Sequence, residues 1–412
     1  MTDSGKRDRM NTAETADARG VVGSAGWSPA ARVHGMGTSI FTEMTELARS
    51  TGAVNLGQGV PELASPPVLL KGVADAVLAG SNQYPPAHGF PALREAVAAH
   101  QLRRYGLDYR PQGEVLVTTG ATEALAAALL ALCDPGDEVI AFDPCYDAYA
   151  ADARLAGARL VAVPLVLDGD GFALDTDALR AAVSPRTRVL ILNTPHNPTG
   201  MVFKAEELEA VADVCREHAL TVITDEVYEH LVYSDGARHR SIAAVPGMRA
   251  RTVVISSAGK TFNTTGWKIG WVCGPAPLVA AVGAAKQFLT YASGTPYQEA
   301  LAQALGSVEE WAAGLRDTLR ANRDLLSGGL AEAGLRPFRA DAGYFVQADV
   351  RPWGYADGVE FCRMLPERAG VVAIPTSAFY LSANAPAWLV RFSFCKREDS
   401  IRKAVDQLIN AR

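Results

Sequence analysis

The stretch RTVVISSAGKTFNTTGWKIGW, residues 251–271, carries the strongest indication of the fold. It begins with a run of β-branched residues, which is typical of a strand buried inside a parallel sheet. Lys260 and Lys268 follow among Gly, Ser and Thr, with no carboxylate between them. Since lysines on a solvated face usually have acidic neighbours, this pattern indicates that the two amines surround something other than protein.

Five earlier segments have the same strand-like composition. They are residues 114–120, 137–143, 159–165, 187–193 and 220–226. Helical patterns rich in Ala, Leu and Glu lie between several of them, as in PALREAVAAHQLRRY and KAEELEAVADVCREH. This alternation predicts an α/β fold whose mostly parallel, seven-stranded type of sheet is covered by helices.

The pattern changes after residue 296, where a long helical stretch precedes the short apolar segments GYFVQADV, VVAIPT and WLVRFSF. We expect a large ligand-binding domain over residues 60–295. A smaller α+β domain is expected to combine residues 29–59 with residues 296–412. Residues 1–20 are polar throughout, and residues 1–28 are predicted to be a disordered N-terminal extension.

The composition excludes several classes of protein. The 412 residues carry a formal net charge of −6, so there is no basic surface for nucleic acid. The longest apolar run, residues 124–133, is about half of the roughly 20 residues that a membrane helix needs. The six cysteines form no CxxC pair and no metal-like spacing with histidine. The sequence therefore predicts a cytoplasmic enzyme with reduced thiols, without a metal site and without a membrane partner.

Small and aromatic residues follow the first two predicted strands, at the sheet edge where ligands bind in such folds. Gly120, Ala121 and Thr122 open a helix, and its free N–H groups and dipole would suit a phosphate. The alternative is a plain N-cap by Thr122. Tyr146 follows the second strand, where it either stacks on a flat ligand or belongs to the core.

Polar residues follow the later strands. Asn193 and Asn197 lie in the loop NTPHNPTG, either as ligands or as an Asx-type turn held by the prolines. Asp225 comes directly after an apolar strand, and its burial is costly unless a cation pairs with it. Lys260 and Lys268 follow the last strand.

Pyridoxal 5′-phosphate would satisfy all of these residues together. Its aldehyde needs a lysine, its ring nitrogen needs an aspartate, and its phosphate needs a helix N-terminus and a cation. The small residues around Lys260 would leave room for such a bulky group.

The same segments also resemble a known family. NTPHNPTG (193–200), TDEVYEHLVY (224–233) and ISSAGKTFNTTGWKIGW (255–271) look like the motifs of fold-type I, class I/II aminotransferases. The resemblance is greatest to the kynurenine/glutamine transaminase and N-succinyldiaminopimelate aminotransferase-like branch. It extends from VNLGQGVPE at residue 54 to LVRFSFCK at residue 389, and it implies a homodimer with shared active sites.

The resemblance implies three catalytic residues. Lys260 would form a Schiff base with the cofactor and move the substrate proton, Asp225 would pair with the pyridinium nitrogen, and Tyr228 would donate to the phenolic oxygen. The other implied cofactor ligands are Ala121, Thr122, Tyr146, Asn193, Asn197, Ser257, Lys268 and, from a partner subunit, Tyr84.

The implied substrate ligands are Gly59, Asn197 and Arg391, and Asn193 is a further carboxylate ligand by the same resemblance. Arg391 would bind the substrate carboxylate in a bidentate manner. The alternatives are that Arg391 is a sheet-edge arginine paired with an acidic side chain, and that Tyr84 only caps a turn before Pro85.

The sequence departs from the family pattern at two places near the pocket mouth. Met36 is the nearest match to an aromatic residue that many relatives carry, and GQGVPE places Val60 where relatives have Phe. These differences predict a less aromatic substrate and argue against kynurenine.

The function that follows is transfer of an amino group from an L-amino acid to a 2-oxo acid by a ping-pong mechanism. A β-lyase or an amino-acid oxidase on the same scaffold is the alternative, because these reactions share the cofactor motifs. A transcription regulator would need a DNA-binding module ahead of the domain, and residues 1–28 show no helix-turn-helix pattern. A Rossmann dehydrogenase lacks its GxGxxG turn.

Overall fold

The computed structural model describes residues 29–34, 36, 40–382 and 385–412. The predicted extension, residues 1–28, lies outside them. The strands are β1 (Val54–Asn55), β2 (Val115–Thr118), β3 (Glu138–Asp143), β4 (Arg159–Pro164), β5 (Val166–Asp168), β6 (Gly171–Ala173), β7 (Thr187–Asn193), β8 (Thr221–Asp225), β9 (Thr252–Ser257), β10 (Gly270–Cys273), β11 (Arg336–Pro337), β12 (Phe345–Asp349), β13 (Val371–Val372), β14 (Ile374–Pro375) and β15 (Leu389–Ser393).

The helices alternate with these strands. They are α1 (Ile40–Thr51), α2 (Pro67–Leu78), α3 (Pro91–Tyr105), α4 (Pro111–Glu114), α5 (Gly120–Leu132), α6 (Ala148–Leu155), α7 (Thr176–Ala182), α8 (Ala205–Glu217), α9 (Ala258–Thr261), α10 (Ala276–Lys286), α11 (Thr295–Ala304), α12 (Val308–Glu332), α13 (Gly358–Ala369) and α14 (Glu398–Asn410). Among the described residues, none of the helices is long and apolar enough to cross a membrane.

The predicted α/β fold is confirmed. Seven strands form one sheet in the order β2-β10-β9-β8-β7-β3-β4. Neighbouring strands are parallel except β10, which is antiparallel to both β2 and β9. Apolar clusters cover both faces, one built with α5 and one with α8. Because strands buried on both faces need apolar side chains throughout, the near-continuous apolar runs of the sequence fit this sheet.

The register of the sheet aligns polar residues at its carboxyl edge. Asn193 at the end of β7 lies opposite Asp225 at the end of β8. Gly270, the first residue of β10, lies opposite both Ser257 and Thr118. The antiparallel β10 therefore starts at the edge where β9 ends and α5 begins, and it runs away from that edge.

A four-stranded sheet in the order β11-β12-β15-β14 forms the smaller α+β region. Its neighbourhood includes residues from the start of the described chain, because β1 pairs with β13 and α1 packs against α13. Long-range pairing of this kind brings residue 54 next to residue 371.

Asp143 fastens the large sheet to the segment after β14. Its Oδ1 accepts the backbone N–H of Leu381 at 3.0 Å, and its Oδ2 accepts the N–H and hydroxyl of Ser382 at 3.0 and 2.7 Å. The carboxylate is fully buried. Three donors aimed at a buried carboxylate make a strong, directional link between the two regions.

We expect Asp143→Asn to lower the free energy of unfolding by about 1–3 kcal/mol, because its NH2 group would face a donor instead of accepting from it. Asp168→Asn, in the exposed strand β5, is the control and should change stability by less than about 0.5 kcal/mol. Urea unfolding of both variants measures the difference. Equal stability of the two variants would contradict the proposed role of Asp143.

Candidate active site

A cavity of about 250 Å³ opens at the carboxyl edge of the seven-stranded sheet. The structure brings most of the predicted cofactor ligands to its wall. They are Ala121, Thr122, Tyr146, Asn193, Asn197, Asp225, Tyr228, Ser257, Lys260 and Lys268.

One end of this cavity is formed by the first turn of α5 and by Lys268. Lys268 Nζ donates to Thr122 Oγ1 at 3.0 Å. Glu123 accepts the N–H of Thr119 at 2.6 Å, and the helix begins at Gly120 without a side-chain cap on its first residues. The alternative of a simple Thr122 cap is therefore not what the structure shows. Free N–H groups next to a lysine amine make an anion-binding end.

Two glycines allow the backbone to pack closely at this end of the cavity. Gly120 has a φ of +72°, which favours glycine, and it lies against Gly270 of β10. A Cβ on Gly270 would come within 2.6 Å of the carbonyl carbon of Gly120. The two glycines therefore let β10 pass directly beneath the start of α5.

The opposite end of the cavity holds the buried carboxylate of Asp225. Its Oδ2 accepts the hydroxyl of Tyr149 at 2.7 Å, and its Oδ1 accepts the N–H of Val227 at 3.3 Å. Burial raises the pKa of Asp225 to about 6, while the hydrogen bond from Tyr149 opposes this shift. Among the described residues no cation forms an ion pair with this carboxylate.

Both the Nδ2 and the Oδ1 of Asn193 form hydrogen bonds with the backbone. Its Nδ2 donates to the carbonyl of Asp225 at 2.9 Å, and its Oδ1 accepts the N–H of Asn197 at 2.7 Å. Asn193 therefore holds the NTPHNPTG loop against the end of β8. This leaves the Asn197 side chain to face the cavity.

Lys260 lies between two tyrosine rings. Its Nζ is 5.8 Å from the ring centroid of Tyr228 and 5.4 Å from that of Tyr344. Its carbonyl accepts the Tyr344 hydroxyl at 3.0 Å, and the next carbonyl, of Thr261, accepts Trp311 Nε1 at 2.8 Å. Burial lowers the pKa of the Lys260 amine, which favours its neutral, nucleophilic form.

Arg391 lies in an adjoining cavity of about 220 Å³ that shares Tyr146, Asn197, Tyr228 and Lys260 with the first. Its Nη1 donates to Asn197 Oδ1 at 3.2 Å and its Nη2 to the carbonyl of Gly57 at 3.0 Å. No acidic side chain among the described residues pairs with it, so it is not the predicted alternative of a sheet-edge ion pair. Burial lowers its pKa to about 9.

Aromatic rings enclose this guanidinium. Its central carbon is 3.8 Å from the ring centroid of Phe345 and 4.2 Å from that of Phe379. Phe41 lies farther out at 5.6 Å. A Cβ on Gly59 would come within 2.6 Å of the Phe345 ring, so the backbone at residue 59 passes directly over that ring.

Tyr84 is the predicted ligand that the structure does not bring to either cavity of this chain. It is 82% exposed and contacts the edge of Tyr291 at a centroid distance of 5.7 Å. Met36 is also exposed, at 39%.

Several site residues were missed by the sequence prediction. Tyr149 follows Tyr146 by three residues at the start of α6, and this helical spacing was the available signal. Gly57 lies two residues before the predicted Gly59. Phe41, Phe345 and Phe379 come from segments distant in sequence, and no local pattern marks them.

Comparison with known proteins adds independent findings. The model of the family "Aminotransferase class I and II" matches residues 51–408. The chain belongs to this aminotransferase family. Its members depend on pyridoxal phosphate, and this chain is a pyridoxal-phosphate-dependent aminotransferase of fold type I.

Similar relatives cover nearly the whole chain. It is 54% identical to "Probable N-succinyldiaminopimelate aminotransferase DapC" of Mycobacterium tuberculosis, over 92% of this chain and 97% of that protein. It is 40% identical to the methionine aminotransferase of Escherichia coli, over 92% and 97%. It is 38% identical to kynurenine–oxoglutarate transaminase 3 of Mus musculus, over 93% and 90%.

A solved structure of the N-succinyldiaminopimelate aminotransferase from Mycobacterium tuberculosis superposes with a TM-score of 0.92 at 53% identity, covering 93% of this chain and all of the other. The aminotransferase prediction is thereby confirmed, while the lyase and oxidase alternatives gain no support.

The cavity of this aminotransferase fits pyridoxal phosphate. Asp225 is buried and forms no ion pair with any cation in the described part of the chain, and a protonated ring nitrogen would supply one. The start of α5 with the exposed amine of Lys268 suits the phosphate, and Lys260 lines the same cavity. The buried carboxylate of Asp225 and the anion-binding start of α5 thus each match a group of the cofactor.

The raised pKa of Asp225 predicts that Asp225→Asn stabilises the apoenzyme above pH 7. Between about pH 4 and pH 6 the unfolded chain releases this proton while the folded chain keeps it, so stability falls as the pH rises through that window. Asp225→Asn should therefore raise the free energy of unfolding by about 3 kcal/mol at most at pH 8 and leave it unchanged near pH 4. Urea unfolding of both apoproteins at these two pH values is the measurement. A variant less stable than the wild type at pH 8 would contradict the prediction.

Proposed function

We propose that this enzyme is a homodimeric, cytoplasmic aminotransferase for an L-amino acid with an unbranched, apolar side chain, such as methionine. The observation that supports it best is Arg391, a buried cation that shares a cavity with Lys260 and forms no ion pair with any acidic side chain that the structure describes. An α-carboxylate would supply the missing negative charge.

Within this proposal the cofactor is held by groups at both ends of the first cavity. Lys268, Thr122, Ser257 and the N–H of Ala121 would hold the phosphate, and Asp225 would pair with the ring nitrogen. Tyr228 and Asn197 would face the phenolic oxygen, and Tyr146 would lie against the ring. When bound, pyridoxal phosphate supplies an aldehyde and an electron-withdrawing ring that makes the substrate Cα–H acidic.

The protein side chains then control the proton and the orientation of the substrate. Arg391 binds the carboxylate and fixes the position of Cα relative to Lys260. Lys260 Nζ accepts the proton from Cα. Because its pKa is lowered, less free energy is needed to deprotonate the amine before it acts as a base. The rings of Phe345 and Phe379 exclude water around the guanidinium, which strengthens its attraction for the carboxylate.

The walls of the second cavity support an apolar substrate side chain. Phe41, Val60, Phe345 and Phe379 line it, and among its described lining residues the cations are Lys260 and Arg391, both already assigned. The similarity to a methionine aminotransferase agrees with this wall.

The second candidate substrate is N-succinyldiaminopimelate, because of the 54% identity to a relative named for it. Val60 is 53% exposed, so a long side chain could leave the cavity past this residue. The distal carboxylates of that substrate would then need cations from elsewhere, for example from a partner subunit.

The two candidate substrates, methionine and N-succinyl-LL-diaminopimelate, are compared by single-turnover absorbance changes of the holoenzyme. Kynurenine is included as an aromatic substrate. We expect the highest kcat/KM with methionine. A higher kcat/KM with the succinylated substrate would overturn the apolar assignment in favour of the second candidate.

Arg391→Lys tests the carboxylate site. We expect kcat/KM to fall by about 10- to 100-fold for amino donor and oxo acid alike, because lysine cannot make the bidentate pair. Arg351→Lys is the control, since Arg351 binds Asp349 on the same small sheet and does not line either cavity. An unchanged KM in Arg391→Lys would contradict the proposal.

A shared active site is supported by the exposed contact of Tyr84 with Tyr291, which is 44% exposed and lies three residues after Phe288, itself 86% exposed. If Tyr84 serves the other subunit, co-expressing Tyr84→Ala and Lys260→Ala chains gives hybrid dimers with one intact site. We expect these hybrids to be active although each parent dimer is impaired. Inactive hybrids would show that Tyr84 does not act across the interface.

We also propose a cellular compartment and domain boundaries for the enzyme. The six cysteines are buried and unpaired, which supports a reducing compartment. We propose the predicted division into residues 60–295 and the combination of 29–59 with 296–412, with one adjustment. Since α11 packs against α2 and α3, the boundary is better placed within α12.

A further inference from the structure

Gln347 is a buried polar residue without a partner. Its side chain is 1% exposed, and neither Oε1 nor Nε2 has a hydrogen-bond partner among the residues that the structure describes. Because buried amides are nearly always paired, such a residue in a native fold calls for a specific explanation.

Gln347 lies directly beside the substrate side of the small sheet. It is in β12, opposite Arg391 of the antiparallel strand β15. Side chains of directly opposed residues point to the same face of a sheet. In the strand on the other side of β15, which is β14, the residue opposite Arg391 is Ile374, and its side chain lies over Gly57. Gln347 therefore shares the face that carries the guanidinium toward the cavity.

The guanidinium of Arg391 has a matching unpaired group. Nη1 and Nη2 donate to Asn197 and to Gly57, whereas the buried Nε–H has no acceptor within residues 40–382 or the other described ranges. An amide oxygen accepts what Nε–H donates. Gln347 Oε1 is an acceptor of this kind on the neighbouring strand, directly opposite Arg391.

The surroundings of Arg391 already restrain its guanidinium at two of its three nitrogens. Phe345 and Phe379 lie against the group and limit its tilt, while Asn197 and Gly57 accept from Nη1 and Nη2. An acceptor on Nε would add a third point that holds the guanidinium while Nη1 and Nη2 turn toward a carboxylate. A neutral amide would do so without cancelling the positive charge that a carboxylate ligand needs.

We propose that Gln347 is a positioning residue for the substrate carboxylate, acting through the Nε–H of Arg391. The inference rests on the proposed role of Arg391 as the carboxylate ligand. Gln347 orients the guanidinium so that Nη1 and Nη2 meet the two carboxylate oxygens together.

The test uses holoenzyme carrying Gln347→Leu, with methionine and its 2-oxo acid as reactants. We expect KM for both to rise about tenfold, the equivalent of one lost hydrogen bond to a charged group, while kcat at saturation stays unchanged. Gln347→Glu should raise KM further, because its carboxylate would pair with Arg391. Gln101→Leu is the matched control, since Gln101 is an equally buried, unpaired amide in α3 that lines neither cavity.

A double variant separates positioning from packing. If Gln347 acts through Arg391, Gln347→Leu should raise KM by a smaller factor in the Arg391→Lys enzyme than in the wild-type enzyme. Full additivity, or an unchanged KM in Gln347→Leu with a normal cofactor spectrum, would overturn the inference. Should Gln347→Leu fail to fold, Gln347→Met serves in its place with the same expectations.

The two proposals fail in distinguishable ways. An unchanged KM in Arg391→Lys refutes the carboxylate site itself. A raised KM in Arg391→Lys together with unchanged Gln347 variants refutes only the role of Gln347.

Discussion

The site depends on buried charged groups that form no ion pair with the side chains that the structure describes. Asp225 is a buried carboxylate and Arg391 a buried guanidinium, and each is held by neutral groups instead. Burying a lone charge is unfavourable, so each group must be held by neutral donors or acceptors until a ligand arrives. Tyr149 and Val227 do this for Asp225, and Asn197 and Gly57 do it for Arg391. The free energy that this burial costs is regained when complementary charges bind.

The fold keeps these charges from neutralising each other. Asp225 ends β8 in the large sheet, whereas Arg391 lies in β15 of the small sheet. The NTPHNPTG loop lies between them, with Asn193 bonded to the backbone of Asp225 and Asn197 bonded to Arg391. A single loop thus sets the spacing between the end that suits the ring nitrogen and the end that suits a substrate carboxylate. This is a reason for two asparagines four residues apart.

Much of the large sheet and most of its site were predictable from the sequence. The apolar runs gave six strands of the seven-stranded sheet within one or two residues of their bounds, and the helix predicted at residues 91–105 has those bounds in the structure. The carboxyl-edge rule then selected the residues after these strands, because parallel strands end at one edge. The strand β10 was missed, since GWVC is short, begins with glycine and runs antiparallel to its neighbours.

What the sequence could not reveal are contacts between distant segments. Phe41, Phe345 and Phe379 surround one guanidinium although more than 300 residues separate the first from the second. No local periodicity encodes such a meeting, which follows only from the pairing of β1 with β13 and of β12 with β15. The same pairing puts Gln347 beside Arg391. The second cavity is therefore built from tertiary contacts, whereas the first is built largely from strand ends, and this is why the sequence revealed the cofactor chemistry more readily than the substrate.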